Sequence, residues 1–278
     1  MTNLFKEEIN NRPDYSIFPG INDKNRNNIL SFLKRFSFIN LFISFQHELY
    51  LHQETLFLSI NIFDRYIQKI TLDNKIYEDL NKVALTCIWI ASKYEEIYPP
   101  YLQEFIDIFR IKYTKREIFL KEDEILSSID FQLLTISSIL FLKIFSKNSI
   151  VYQDIYMKNE MDLCFYAAQF FLETCIVEPK FCELKPSFQA AICLYLARKF
   201  FIHNINNKSK IWTYELEFRT NYSEIQIKKY LKIVLNTIKN FYGNVYTKNF
   251  MAIPLYTKYS THEYSSIAYK LKQIIIKE

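Results

Sequence analysis

Few side chains in this sequence stand where they could do chemistry. Glu95 and Glu96 are adjacent carboxylates two residues after Lys93, and Glu122 sits inside an otherwise apolar arc. Adjacent helical residues point about 100° apart, so Glu95 and Glu96 do not converge on one substrate as a catalytic acid–base pair would. His47, His52, His203 and His262 are scattered, with no H-E-x-x-H and no cysteine at zinc spacing. Cys87, Cys164, Cys175, Cys182 and Cys193 are odd in number and form no C-x-x-C; they lie mostly in apolar helical runs, as buried free thiols of a reducing compartment do. With only 2 glycines, Gly20 and Gly243, the chain cannot build a glycine-rich phosphate loop. No catalytic constellation, metal centre or cofactor is implied. The chemistry that remains is binding.

The elements that must position these residues are helices. The chain has 278 residues, 50% hydrophobic and 17% aromatic, enough for one large or two ordinary domains. The net charge of +5 is spread along the sequence, which argues against a nucleic-acid partner. No apolar run reaches membrane length, the 36–45 stretch being broken by Ser37, Asn40 and Ser44, and the N-terminus has no signal-peptide core. A soluble intracellular protein is expected.

The organising stretch is Val83 to Pro100. From Val83 to Ala91 nearly every residue is apolar or small, so this helix belongs in the middle of a core. Pro99-Pro100 forbids its continuation. Carboxylates at its C-terminal end oppose the macrodipole, and a partner is the expected reason for them.

Residues 1–22 read as a polar surface arm. Asp23 is expected to cap a helix through Ile29, Leu30 and Leu33, and a second apolar stretch runs from Phe36 to Phe45. Leu56, Phe57, Ile60, Phe63 and Ile67 form a helical stripe, and Leu102, Phe105, Ile106 and Phe109 a short one. Thr114 and Glu117 make a capping box opening a helix with the apolar arc Ile118, Ile125, Leu126 and Ile129. Glu122 interrupts that arc, as a rim glutamate paired to a lysine or as a binding residue.

The back half repeats the front. Cys87 to Tyr94 is echoed by Cys193 to Phe200, 106 residues on. Tyr113-Thr114-x-x-Glu117-Ile118 is echoed by Tyr222-Ser223-x-x-Gln226-Ile227, 109 residues on, again with a capping box. The offsets predict two copies of one all-α unit with a boundary near Leu134–Ser138. The copies differ where it matters: Lys199 keeps the lysine, but Leu231 stands at the position matching Glu122. Structural residues tend to persist in both copies, whereas a binding site is needed once.

Ala91-Ser92-Lys93-Tyr94-Glu95-Glu96-Ile97-Tyr98-Pro99-Pro100 resembles the cyclin-box signature of A- and B-type cyclins. Glu54-Thr55-Leu56 with Asn61-Ile62-Phe63-Asp64-Arg65-Tyr66 resembles the preceding cyclin-box helix. Tyr113-Thr114-Lys115, Ile129-Asp130-Phe131-Gln132-Leu133, Pro13-Asp14-Tyr15, Lys258-Tyr259-Ser260 and Tyr264-Ser265 resemble the family's other landmarks. The resemblance implies an all-α tandem pair of five-helix cyclin folds, with an N-terminal arm over 1–22, folds over 23–134 and 135–247, and a C-terminal extension over 248–278. It implies a non-enzymatic regulatory subunit that binds and activates a cyclin-dependent protein kinase. Lys93 and Glu122 would grip the kinase, and Ile90, Tyr94, Leu126 and Phe131 would line the groove for its αC helix. It further implies a substrate- or inhibitor-peptide docking patch at Lys34, Arg35, Phe38, Leu41 and Asn81. Lys34, Ser37 and Leu41 depart from the family pattern there, and no Arg-x-x-Leu destruction box is visible. The competing readings are a tandem cyclin-fold transcription factor, which calls for a concentrated basic face, and a cyclin-like scaffold that binds without activating.

Overall fold

The computed structural model describes residues 2–15, 32–73, 79–110, 112–148, 155–203, 210–246 and 253–275. All regular elements among these residues are helical. They form two compact units, Ile9–Thr135 and a second built from Ile136–Glu278 together with Met1–Glu8.

The first unit holds α2 (Phe32–Glu48), α3 (Gln53–Leu72), α4 (Leu80–Glu95), α5 (Leu102–Phe109) and α6 (Lys115–Ser128). Helix α4 is the axis, buried without interruption from Val83 to Ser92, with α2, α3 and α6 packed around it. Its start is fixed by Asp79, whose carboxylate accepts from the amides of Asn81 and Lys82. It stops at Glu95, because Glu96 is already extended, ahead of the two prolines. Trp89 of α4 meets Phe105 of α5 edge-on at 5.7 Å, and Phe45 of α2 reaches the same ring. The capping box of α6 forms as expected: Thr114 N–H donates to Glu117 at 2.8 Å, and Glu117 N–H to the Thr114 hydroxyl at 3.3 Å. Leu33 and Phe36 to Phe45, divided in the sequence pattern, share the single helix α2. Asp23, Ile29 and Leu30 lie outside the described residues.

The second unit comprises α7 (Ser138–Asn148), α8 (Ile155–Cys175), α9 (Pro179–Cys182), α10 (Pro186–Arg198), α11 (Tyr214–Thr220), α12 (Glu224–Lys228), α13 (Leu231–Tyr246), α14 (Ile253–Ser260) and α15 (Ile267–Ile275). Helix α10 takes the part of α4, buried from Gln189 to Arg198 and packed on α7 and α8. The second capping box, Ser223 with Gln226, is also present, but the helix it opens breaks at Lys229-Tyr230 into α12 and α13, where α6 runs unbroken. All five cysteines are free and buried, and burial pushes the thiols of Cys87, Cys175 and Cys193 well above their ordinary range. The terminal Lys258-Tyr259 pair is fully buried, with the ammonium 2.7 Å and the phenol 2.6 Å from the Glu173 carboxylate of α8.

The first residues of the expected surface arm are more ordered than the sequence suggested, while residues 16–22 lie outside the described residues. Thr2–Glu7 form a helix, α1, whose Phe5 ring lies 5.3 Å from Phe141 and 6.4 Å from Phe145 of α7. Glu8 is buried, and its Oε2 accepts from Ser187 N–H at 2.9 Å in the first turn of α10. An anion suits that position because unpaired amides converge at a helix N-terminus. Six residues with two large apolar side chains carry too little periodicity to announce such a helix.

Candidate functional site

Lys93 stands in the last turn of α4 and Glu122 midway along α6, two helices that pack against each other. The structure brings them together as an ion pair at the edge of the first unit. One helical turn below, the Trp89 ring supports the Lys93 ammonium, 4.9 Å from its centroid. The lysine is 36% exposed and the glutamate 13%, so the pair lies at the rim with the ammonium as its more accessible end.

The apolar residues expected around the pair divide. Tyr94 is 48% and Phe131 66% exposed, and Leu126 is half-buried. Ile90 is only 2% exposed, so it supports the surface from beneath and does not line it. The patch is wider than the sequence suggested. Ile97, Tyr98 and Tyr101 are exposed in the connection leading to α5, and Phe119 precedes Glu122 by one turn on α6. Leu134 (68% exposed) and Ile9 (57%) complete a rim with Phe131; Asn11, two residues after Ile9, donates to the Leu134 carbonyl at 2.9 Å. Nothing about Ile9 marked it in sequence, since it lies in a polar stretch whose path only the fold reveals.

The two copies diverge here in structure as well. Phe200, which echoes Tyr94, is 2% exposed. It sits with Lys199 in a π-helical turn, Lys199–His203, and Leu231 replaces the carboxylate. Among the described residues, the positions of the second unit that match Lys93, Tyr94 and Glu122 form no such ion pair.

Glu96 departs from the expectation of a partner-facing carboxylate. It turns back to the N-terminus of α3, where its Oε1 accepts from His52 N–H at 2.7 Å and from the Thr55 hydroxyl. His52 offers no side-chain cap of its own, so Glu96 supplies one from the neighbouring helix. The charge that opposes the α4 dipole is placed to favour that of α3.

The proposed docking patch is also altered. Arg35 is not available to a peptide. Its guanidinium is buried and donates at 2.9 and 2.7 Å to the two oxygens of the buried Asp64 carboxylate. Phe38 is half-buried against Phe63, with ring centroids 5.1 Å apart, and Leu41 is half-buried. Asn81 is exposed in the first turn of α4, while Lys34 lies in α2 with its side chain outside the described residues. Among the described residues no group of histidine, cysteine and acidic side chains could hold a metal ion, and no helix is long and apolar enough to cross a membrane.

The described residues thus form two helical units, each packed around an apolar central helix, with the Lys93–Glu122 pair at the edge of the first. Residues 1–134 match the family model described as the cyclin N-terminal domain, and residues 136–273 that of the cyclin C-terminal domain. The chain belongs to the cyclin family. Among curated relatives, cyclin-B1-1 of Arabidopsis thaliana is 30% identical over 78% of this chain and 45% of its own length. The G2/mitotic-specific cyclin-2 of Antirrhinum majus is 28% identical over 90% of this chain and 50% of its own length. The chain thus spans about half the length of the relatives it matches. The fold is that of a viral cyclin from herpesvirus saimiri, with a TM-score of 0.64 at 17% identity over 86% of this chain and 96% of that one.

Proposed function

We propose that this chain is the regulatory subunit of a cyclin-dependent Ser/Thr protein kinase, acting in cell-cycle control. In this reading the first unit takes the kinase's αC helix against Tyr94, Leu126 and Phe131, with Lys93 and Glu122 at the edge of the contact. The chain contributes no reacting group. By binding better to the kinase with αC turned inward, it raises the population in which the kinase's own lysine–glutamate pair, Mg²⁺ site and activation loop are in place. The single observation that supports this most is the Lys93–Glu122 pair, partly exposed at an aromatic rim in the first copy, where the matching positions of the second hold Lys199 and Leu231. The buried Arg35 favours no docking of Arg-x-Leu peptides through that residue.

The test mixes the purified chain with monomeric cyclin-dependent kinases from its own source and follows phosphorylation of a histone peptide. Wild type is expected to activate. Lys93→Ala and Glu122→Ala are each expected to weaken binding by about 2 kcal/mol or more, as hot-spot residues do, with melting temperatures near wild type because the pair is at the rim. Binding without activation would make the chain a scaffold, and failure to bind any such kinase would end the reading.

A further inference from the structure

Asn61, Arg65 and Gln68 are half-buried polar residues on α3, a helix otherwise buried over most of its length. At i, i+4 and i+7 they form one row along the helix. Each holds backbone. Arg65 donates to the carbonyl of Gln132 at 2.6 Å and to that of Ile129 at 3.2 Å. Asn61 donates to the Asn11 carbonyl at 3.0 Å, and the Gln68 carbonyl oxygen accepts from Asp14 N–H at 3.0 Å. Asn11 then ties the two gripped segments to each other through the Leu134 carbonyl.

Those segments carry Ile9, Phe131 and Leu134, the exposed apolar rim beside the candidate kinase site. The turn between them and α6 is one that side chains adopt at a cost: Asp130 and Phe131 have φ of 54° and 55°, both left-handed and neither a glycine. Such a turn persists only where surrounding contacts over-determine it, and a guanidinium fork across two of its carbonyls is such a contact. Burial lowers the pKa of that guanidinium, and the Asp130 carboxylate pulls it back up, as expected for a charge withdrawn from water to do structural work at this turn.

We propose that the Asn61–Arg65–Gln68 row is a positioning device that fixes the Ile9, Phe131 and Leu134 rim in its partner-ready geometry before any partner arrives. Arg65 then acts on binding through Phe131. The proposal rests on the kinase reading for the identity of the partner, but not for the existence of the clamp.

The test uses Arg65→Ala, Phe131→Ala and the double variant in the full chain, with Arg65→Lys as a charge-conserving control. Two quantities are read: affinity for a monomeric cyclin-dependent kinase, and backbone amide exchange in the free chain. Arg65→Ala is expected to bind roughly tenfold more weakly, since pre-organisation is lost. The double variant is expected to bind no more weakly than Phe131→Ala alone, because the two act as one unit. Arg65→Lys is expected not to rescue, since an ammonium cannot span both carbonyls as a fork. Exchange in Arg65→Ala should quicken at residues 129–134 and stay at wild-type rates in α4. Additive losses in the double variant, or unchanged exchange at 129–134, would overturn the proposal. Should wild type bind no kinase, the partner reading fails and exchange alone decides the clamp.

Discussion

Arg35 and Lys93 are both cations paired with a carboxylate, and their surroundings give them opposite roles. Arg35 and Asp64 are each almost wholly buried, so removing one leaves the other charged and dry. Arg35→Ala is expected to cost about 3–5 kcal/mol of stability, read as a large fall in the chemical-denaturation midpoint or outright failure to fold. Wild-type stability in that variant, with loss only of peptide binding, would restore Arg35 to a docking role. Lys93 and Glu122 meet in partial contact with water, where breaking a pair costs little in folding. The sequence shows an arginine and a lysine, each with a candidate role in binding. It does not show that Asp64 lies at bonding distance from one of them, because that meeting is a property of how α2 crosses α3.

Helix ends carry the next level of control. Glu96 is a cap supplied across 44 residues, and Glu96→Ala is expected to cost about 1 kcal/mol, with faster amide exchange in the first turn of α3. An equal loss spread over the whole unit would show that the residue does something other than cap. Glu117 is a local cap with a pH signature. Hydrogen bonds from the Thr114 amide and hydroxyl, then from Lys82, hold its carboxyl down from an ordinary value of 4.5 to about 2. A depressed carboxyl stabilises the fold above its unfolded pKa and loses that contribution as pH falls toward the folded one. Melting temperature should therefore fall more steeply in wild type than in Glu117→Gln between pH 4.5 and about 2, and parallel curves would refute the assignment. The capping boxes at Thr114 and Ser223 were legible because donor and acceptor lie three residues apart. The Glu96 cap was not, since a carboxylate at a C-terminus reads locally as a mismatch, and its partner comes from another helix.

At the scale of the whole molecule, the duplication was plain in sequence because apolar-all-round helices such as α4 and α10 leave few alternatives to a central position. The helical class, the paired central helices and the Lys93–Glu122 edge followed from that pattern and from the resemblance to cyclins. The role of residues 2–8 did not, because it depends on a buried glutamate whose partner is 179 residues away. Phe5→Ala is expected to cost about 1–2 kcal/mol of stability, as loss of a half-buried aromatic does, with exchange quickened in α7 and not in α4. Faster exchange in α4 instead would assign α1 to the other unit.

That placement has a consequence for how the chain comes into being. During synthesis α1 emerges before every other helix described here, whereas α7 and the start of α10, on which it packs, emerge only after α2 to α6. The first unit can begin to form as it leaves the ribosome, but Phe5 must wait through well over a hundred further residues for a surface to cover it. Helix α1 is thus made before the whole first unit yet seated only after it, once α7 and the start of α10 have been made.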